Sequence, residues 1–222
     1  MKGIETGKIM RIGILYLDDR HLEDLLLVQR LARVLKQLPA PMVLVHGSGG
    51  RAEQLLEAEG YMPERREGVL VVQSAHERAL VERGIRETNQ RLVAGLNELL
   101  IPAVGIQGSD RGLLRRTATG ALRVGRTAWL VQLLRQGVWP VVSTLVATET
   151  EQIVEAPAAE VLGALAGGCM SEVVIALLRN ELEEPIGKVL KNKRIDFWIG
   201  QLEELPEAVK RGVFQGNNAL SS

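Results

Sequence analysis

Apolar residues along this chain recur in two patterns, short β-branched runs and longer stretches in which every third or fourth position is apolar. The short runs predict strands over residues 9–17, 42–46, 68–73, 103–107, 121–124, 139–146, 172–178 and 195–199. The longer stretches predict helices over 22–37, 51–59, 75–100, 127–136, 158–166 and 203–210. In the helix over 75–100, Leu80, Ile85, Leu92, Leu96 and Leu99 form one stripe. Asp18 and Asp19 supply N-cap chemistry before the first helix, and Pro39 and Pro41 stop it. Strands alternating with helices predict an α/β fold, a largely parallel sheet covered on both faces. Ligands of such sheets sit beyond the carboxyl ends of the strands, so the loops after Leu17, His46, Gln107 and Val146 are the places to search.

Composition narrows the function classes. The 222 residues suit one domain with room for two lobes. The 27 Lys and Arg balance the 27 Asp and Glu, leaving no global field to gather a nucleic acid or an anionic membrane. Aromatic residues are only 3% of the chain, so the core must be Leu, Val, Ile and Ala, and no base-stacking surface is expected. The single cysteine, Cys169, excludes an internal disulfide, offers no metal-ligand spacing and fits a reducing compartment. No apolar stretch is long enough to span a membrane, and the charged N-terminus leads into no signal-type run. The expectation is a cytoplasmic protein with a small-molecule ligand, no metal site, and neither nucleic acid nor membrane as a partner.

Candidate chemistry centres on His46-Gly47-Ser48-Gly49-Gly50, which follows a strand and opens a helix. Backbone N–H groups at such a place point toward a phosphate on the positive helix end, although a plain tight turn needing φ > 0 reads the same way. Three segments carry a resemblance. Val43-Leu-Val-His-Gly-Ser-Gly-Gly is similar to the LVxVHGGG motif of acetylglutamate kinases, Val104-Gly-Ile-Gln-Gly-Ser-Asp-Arg-Gly-Leu-Leu to their VGLSGxDGxL, and Leu134-Arg-Gln-Gly-Val-Trp-Pro-Val-Val-Ser to their LLxxGYIPVVS. The stretch ending Phe214-Gln215-Gly216 is similar to the family's closing segment. In this order and spacing, residues 9–216 resemble the amino-acid kinase family, of the acetylglutamate kinase type.

The resemblance implies a three-layer sandwich with a mostly parallel central sheet, the amino-acid kinase or carbamate kinase-like fold. It implies one domain over 1–222, with a substrate-side lobe over 1–170 and a truncated nucleotide-side lobe over 171–222. It also implies a homodimer built in part on the 75–100 helix, and ATP-dependent phosphorylation of the side-chain carboxylate of an N-acylated glutamate in arginine biosynthesis. Such transfer is mainly positioning plus charge neutralisation, so its parts can be sought residue by residue.

Several parts are altered. The family's K-x-G-G falls on Arg11-Ile12-Gly13-Ile14, where Arg11 keeps the charge near the transferring phosphate while Ile14 crowds the turn. Gly47, Gly49 and Gly50 are kept as phosphate or ligand binders, with Ser48 in place of a glycine, and Gly108 marks the second glycine turn. In G-L-R-V-T, Leu70 replaces the arginine that grips a substrate carboxylate. Arg65 and Arg66 just before it read either as substitutes or as a solvated loop. N-x-N-A-D falls on Val154 to Pro157, putting Glu155 at the ligand, where it would repel an anion, and Pro157 where an aspartate organises the lysines. After Leu178 the family's nucleotide-pocket segment is reduced to residues 179–194, in which Lys188 reads either as a remnant of G-x-x-K or as part of a linker helix.

Two functional readings follow. The first is a non-catalytic homologue that keeps a cleft for a small molecule, such as an amino-acid derivative, and uses no cofactor. The second is an active divergent kinase using ATP and magnesium, with Arg11 on the γ-phosphate and Lys188 neutralising the leaving group. The first needs fewer compensating changes. In either, Arg11 and the glycine amides are expected to hold a lone phosphate.

Overall fold

The computed structural model describes residues 12–168, 173–179 and 183–212. Strand β1 (Ile12–Leu17) leads into α1 (Asp19–Glu23) and α2 (Leu27–Leu35), and β2 (Val43–His46) into α3 (Gly49–Ala58). A hairpin of β3 (Arg65–Arg66) and β4 (Val69–Leu70) precedes the long α4 (Ala75–Glu98). Next come β5 (Ala103–Gln107), β6 (Leu114–Arg116), β7 (Leu122–Val124), α5 (Ala128–Arg135), β8 (Trp139–Ser143), β9 (Leu145–Thr148) and β10 (Ile153–Glu155). The described elements end with α6 (Ala158–Gly168), β11 (Val173–Leu178), α7 (Glu183–Asn192), β12 (Asp196–Gly200) and α8 (Leu205–Lys210).

Six strands in the order β12-β11-β1-β2-β8-β5 form one sheet, and every pairing in it is parallel. The β-strand period sorts its side chains into two cores. Leu15 and Leu17 join α2, α4 and α8 residues such as Leu31, Leu92 and Leu205 on one face. Ile12, Ile14 and Tyr16 join Leu130, Leu162 and Leu190 of α5, α6 and α7 on the other. The result is the three-layer α/β sandwich expected from the alternation of strands and helices. A smaller sheet, β10-β9-β6-β7, sits beyond the ends of β8 and β5 and carries Glu155.

The structure corrects the sequence reading in three places. The helix expected over 22–37 is broken, because the Asp24 carboxylate accepts from the Leu26 N–H (2.9 Å) and offers the chain a turn in place of a helical bond. The strand expected over 68–73 is only β4, folded back on β3 through Glu67 and Gly68, both at positive φ (53° and 81°). The strand expected over 139–146 divides at Thr144, whose N–H reaches the His46 carbonyl (3.0 Å) as the chain passes from the main sheet to the smaller one. The short strands β6 and β10, too brief and too charged to show an apolar run, carry no signal of their own.

Candidate functional site

Parallel pairing of β1 with β2 places their carboxyl ends side by side, so the loop after Leu17 meets the glycine turn after His46. Asp18 caps α1 by accepting from the His21 N–H (3.0 Å) and holds the His21 ring at 2.8 Å. The cap turns the next residue toward the glycine run, where the Gly49 N–H donates to Asp19 Oδ1 at 2.8 Å. Gly49 sits at φ +59°, a conformation that favours glycine, and its amide is what a bound anion would otherwise take.

Two further elements close over the turn. Arg65 on β3 reaches Asp19 Oδ2 (3.0 Å), Glu53 Oε1 (2.7 Å), the Ser48 hydroxyl oxygen (3.0 Å) and the Gly68 carbonyl (3.1 Å). Glu155 on β10 accepts from the Leu70 N–H (3.1 Å) and from the Ser48 hydroxyl. Part of Glu155 stays accessible, but its carboxylate is hemmed by Gly47, Ser48 and Leu70, and burial raises its pKa to about 7 against the pull of those donors. Burial also raises Asp19, with Arg65 and the Gly49 N–H opposing. Burial raises the Tyr16 hydroxyl as well, and the carboxylates of Asp19, Asp18 and Glu155 push it further. Arg65 is pulled down by its own burial, yet Asp19 and Glu53 hold it above the usual arginine value.

From below, the turn is braced by α4. His46 is fully buried and neutral, its pKa lowered to about 4 by burial. Its Nδ1 donates to the Gly47 carbonyl (2.8 Å), and its Nε2 accepts from Asn89 Nδ2 (2.9 Å), which also donates to the Val141 carbonyl (2.9 Å). Thr88 adds a bond to the Ser48 carbonyl (3.3 Å). His46 thus orders the turn through a backbone hydrogen bond.

The residues singled out in the sequence divide. Gly47, Ser48, Gly49 and Glu155 converge at this site, while Gly50 faces the Glu23 side chain at its edge. Gly13 is packed against the Met42 side chain. Leu70 brings only its backbone; its side chain is buried with Leu56, Leu80 and Ile85 and presents nothing to a ligand. Gly108 is required by close packing on the Ser143 and Leu145 carbonyls. Lys188 lies on α7, whose main packing is against α6 and β12. Arg11 and the segment around Phe214 lie outside the described residues.

Of the arginine pair, Arg65 enters the site and Arg66 stays in solvent. The expectation that the glycine amides hold a lone phosphate meets an obstacle, since the Gly49 amide is already bonded to Asp19. Tyr16, Asp19 and Asn89 were missed by sequence reasoning. Knowing that β1 and β2 are parallel neighbours would have flagged Asp19, which sits two residues beyond the end of β1. Among the described residues no cluster of three or more His, Cys, Asp or Glu has metal-holding geometry, and no helix is long and apolar enough to cross a membrane.

A parallel α/β sandwich with a glycine turn at the carboxyl ends of its strands defines a class of ligand-binding folds. Within it, this chain belongs to the amino acid kinase family, whose sequence profile matches residues 16–176. It is 30% identical over 171 residues to an acetylglutamate kinase of Chloroflexus aurantiacus, covering 70% of this chain and 67% of that protein. It is 31% identical over 153 residues to one of Synechococcus sp. WH7803, covering 65% and 52%. Another, from Aeromonas salmonicida, is 28% identical, so the chain spans about half to two thirds of the length of the relatives it matches (55% here). Among solved structures, isopentenyl phosphate kinase superposes with a TM-score of 0.62 at 17% identity, over 93% of this chain and 97% of that one. N-acetylglutamate synthase from Neisseria gonorrhoeae superposes with 0.64 at 16%, over 91% and 57%. These likenesses show the fold.

Proposed function

We propose that this chain is an acetylglutamate kinase-like protein that binds a small molecule in its substrate-side cleft and has lost phosphoryl transfer or altered it. The observation that carries the reading is that the chain's own carboxylates hold the donors a phosphate would need. Asp19 accepts the Gly49 N–H, and Glu155 accepts the Leu70 N–H and the Ser48 hydroxyl. An incoming phosphate would have to displace Asp19 and approach Glu155, against like charge in a partly desolvated place. The family's activity implies ATP and magnesium, and the described residues do not fit that pair. Pro157, with no carboxylate, stands where the resemblance puts the organising aspartate, and Arg65, the cation that reaches the turn among the described residues, is already held by Asp19 and Glu53.

In this reading residues 1–170 are the substrate-side lobe and 171–222 a reduced nucleotide-side lobe of a cytoplasmic protein. A homodimer would use the face of α4 turned away from α3, since Gly84 packs directly on Ala52. A second reading, an active kinase of an N-acylated glutamate in arginine biosynthesis, is favoured by Arg65 itself, a guanidinium inside the cleft able to grip a carboxylate once freed from Asp19. The test is ADP release with ATP, magnesium and N-acetyl-L-glutamate. The proposal expects no release above the rate without acceptor, and acceptor-dependent ADP would overturn it.

A further inference from the structure

The smaller sheet ends on an open edge. In its outer hairpin the Thr117 N–H donates to the Ala121 carbonyl (2.9 Å) and the Gly125 N–H to the Leu113 carbonyl (2.8 Å), which marks the pairs that share ladder bonds. By alternation Arg123 also faces β6 with its backbone, while Leu122 and Val124 turn their N–H and C=O groups outward. Among the described residues no hydrogen-bond partner meets those groups, and no strand other than β6 pairs with β7. A groove of about 490 Å³ lies between β7 and α6, lined in part by Gly120, Leu122, Val124, Gly163, Gly167 and Lys193. A β-carbon on Gly167 would meet nothing within 4 Å, so a second backbone has room to approach. We propose that this edge docks an extended acidic segment of a partner protein, which adds a strand beside β7.

The charge around the edge sets the sign of the partner. Residues 111–148 carry six arginines and no Asp or Glu, in a chain that is neutral as a whole. The register places Arg115 and Arg123 directly opposite each other across the hairpin, a like-charge pair that costs stability unless an anion stands by it. Glu151 answers Arg115 (2.7 Å), but Arg123 is exposed and has no carboxylate partner among the described residues. Lys193 is also exposed and lies across α6, its Nζ 2.8 Å from where a Gly163 β-carbon would sit. Glu160, a carboxylate lining the groove, is already engaged by Arg116 (3.0 Å). In an added strand, alternate side chains would fall on the Arg123 face and on the Leu122 and Val124 face, so acidic and apolar residues should alternate. A nucleic acid has the charge but no row of N–H and C=O groups to continue the ladder. Self-pairing of two chains here would set Arg123 against Arg123, which like charge opposes.

Titration of the 15N-labelled full chain with a blocked heptapeptide of alternating glutamate and valine, followed by NMR, tests this directly. Saturable shifts are expected at the Leu122 and Val124 amides, and added salt should weaken the binding. The same peptide with lysine in place of glutamate should give no shift. A glutamate peptide methylated at every backbone nitrogen keeps the charge and loses the ladder, so it should not bind either. Arg123→Glu should weaken binding by about tenfold or more while the spectrum stays folded, since that exposed side chain has no partner to lose. No saturable shift at these two amides, equal shifts from the lysine peptide, or undiminished binding of the methylated peptide would overturn the proposal. Shifts there that depend on protein concentration without any peptide would put a second copy on the edge, and would overturn it equally.

Discussion

Two glycine turns stand at the carboxyl ends of strands that flank β8, one after β2 and one after β5, and they are alike in sequence but opposite in character. In the second, Asp110 Oδ2 accepts from the Gln107 N–H (2.8 Å), the Ser143 hydroxyl reaches the Gln107 side chain (2.7 Å) and the Leu114 N–H returns to the Gly108 carbonyl (2.7 Å). These bonds close the turn on itself, and Gly108 is glycine because a β-carbon would lie 2.5 Å from the Leu145 carbonyl oxygen. In the first, a β-carbon on Gly47 would meet nothing closer than 3.3 Å, and what surrounds it is charged. A glycine kept for packing and a glycine that leaves a space open look identical in one sequence. They differ only in what stands opposite.

The difference is sharpest under substitution. Gly108→Ala must push apart the β8–β9 backbone and should cost about 3 kcal/mol in urea unfolding, whereas Gly47→Ala, with its looser surroundings, should cost less than about 1 kcal/mol. Equal losses at the two positions would erase the distinction. Arg65→Met removes the ties to Asp19, Ser48 and Glu53 and takes the guanidinium away from both carboxylates, for a loss of about 2 kcal/mol. Wild-type stability in that variant would mean that the hairpin is not latched to the first turn.

Acidity gives a second contrast within the first turn. The Glu155 carboxyl, raised from 4.5 to about 7, contributes stability that is present below pH 4.5 and lost as pH rises through about 7. His46, lowered from 6.5 to about 4, contributes stability present above pH 6.5 and lost as pH falls through about 4. The two slopes oppose one another where their windows overlap. Glu155→Gln should therefore gain on the order of 2 kcal/mol over wild type at pH 8 and unmask the acid-side loss from His46. Parallel pH curves for the two proteins would show that Glu155 is not desolvated. A modest effect is expected in the second turn, where Asp110→Ala gives up one bond to the Gln107 N–H at about 1 kcal/mol in urea unfolding.

Much of the fold was legible because a parallel sheet buried on both faces writes itself as apolar runs: β1, β2, β5, β8 and β11 fall inside expected strands, and β12 runs one residue past the end of its own. The hairpin of β3 and β4 was not, since Arg65 and Arg66 have no apolar period and Gly68, part of its turn, stands as the first residue of the expected strand. The site was legible in its backbone, as glycines at a strand end, and illegible in its chemistry. Asp19, Arg65 and Glu155 are scattered over 137 positions of sequence and meet only because the parallel order puts β1 beside β2 and the smaller sheet folds β10 over both. Leu70 shows the reverse error. A side chain expected at the ligand is core, and its amide holds the Glu155 carboxylate.

Titration calorimetry of the wild-type chain with ATP and magnesium, repeated with inorganic phosphate alone, tests the central claim that the first turn is held by its own carboxylates. The account predicts a dissociation constant above about 1 mM for both, which is no more than about 4 kcal/mol of binding. Micromolar binding of ATP would contradict it, for it would mean that Asp19 and Glu155 yield the glycine turn to a phosphate after all.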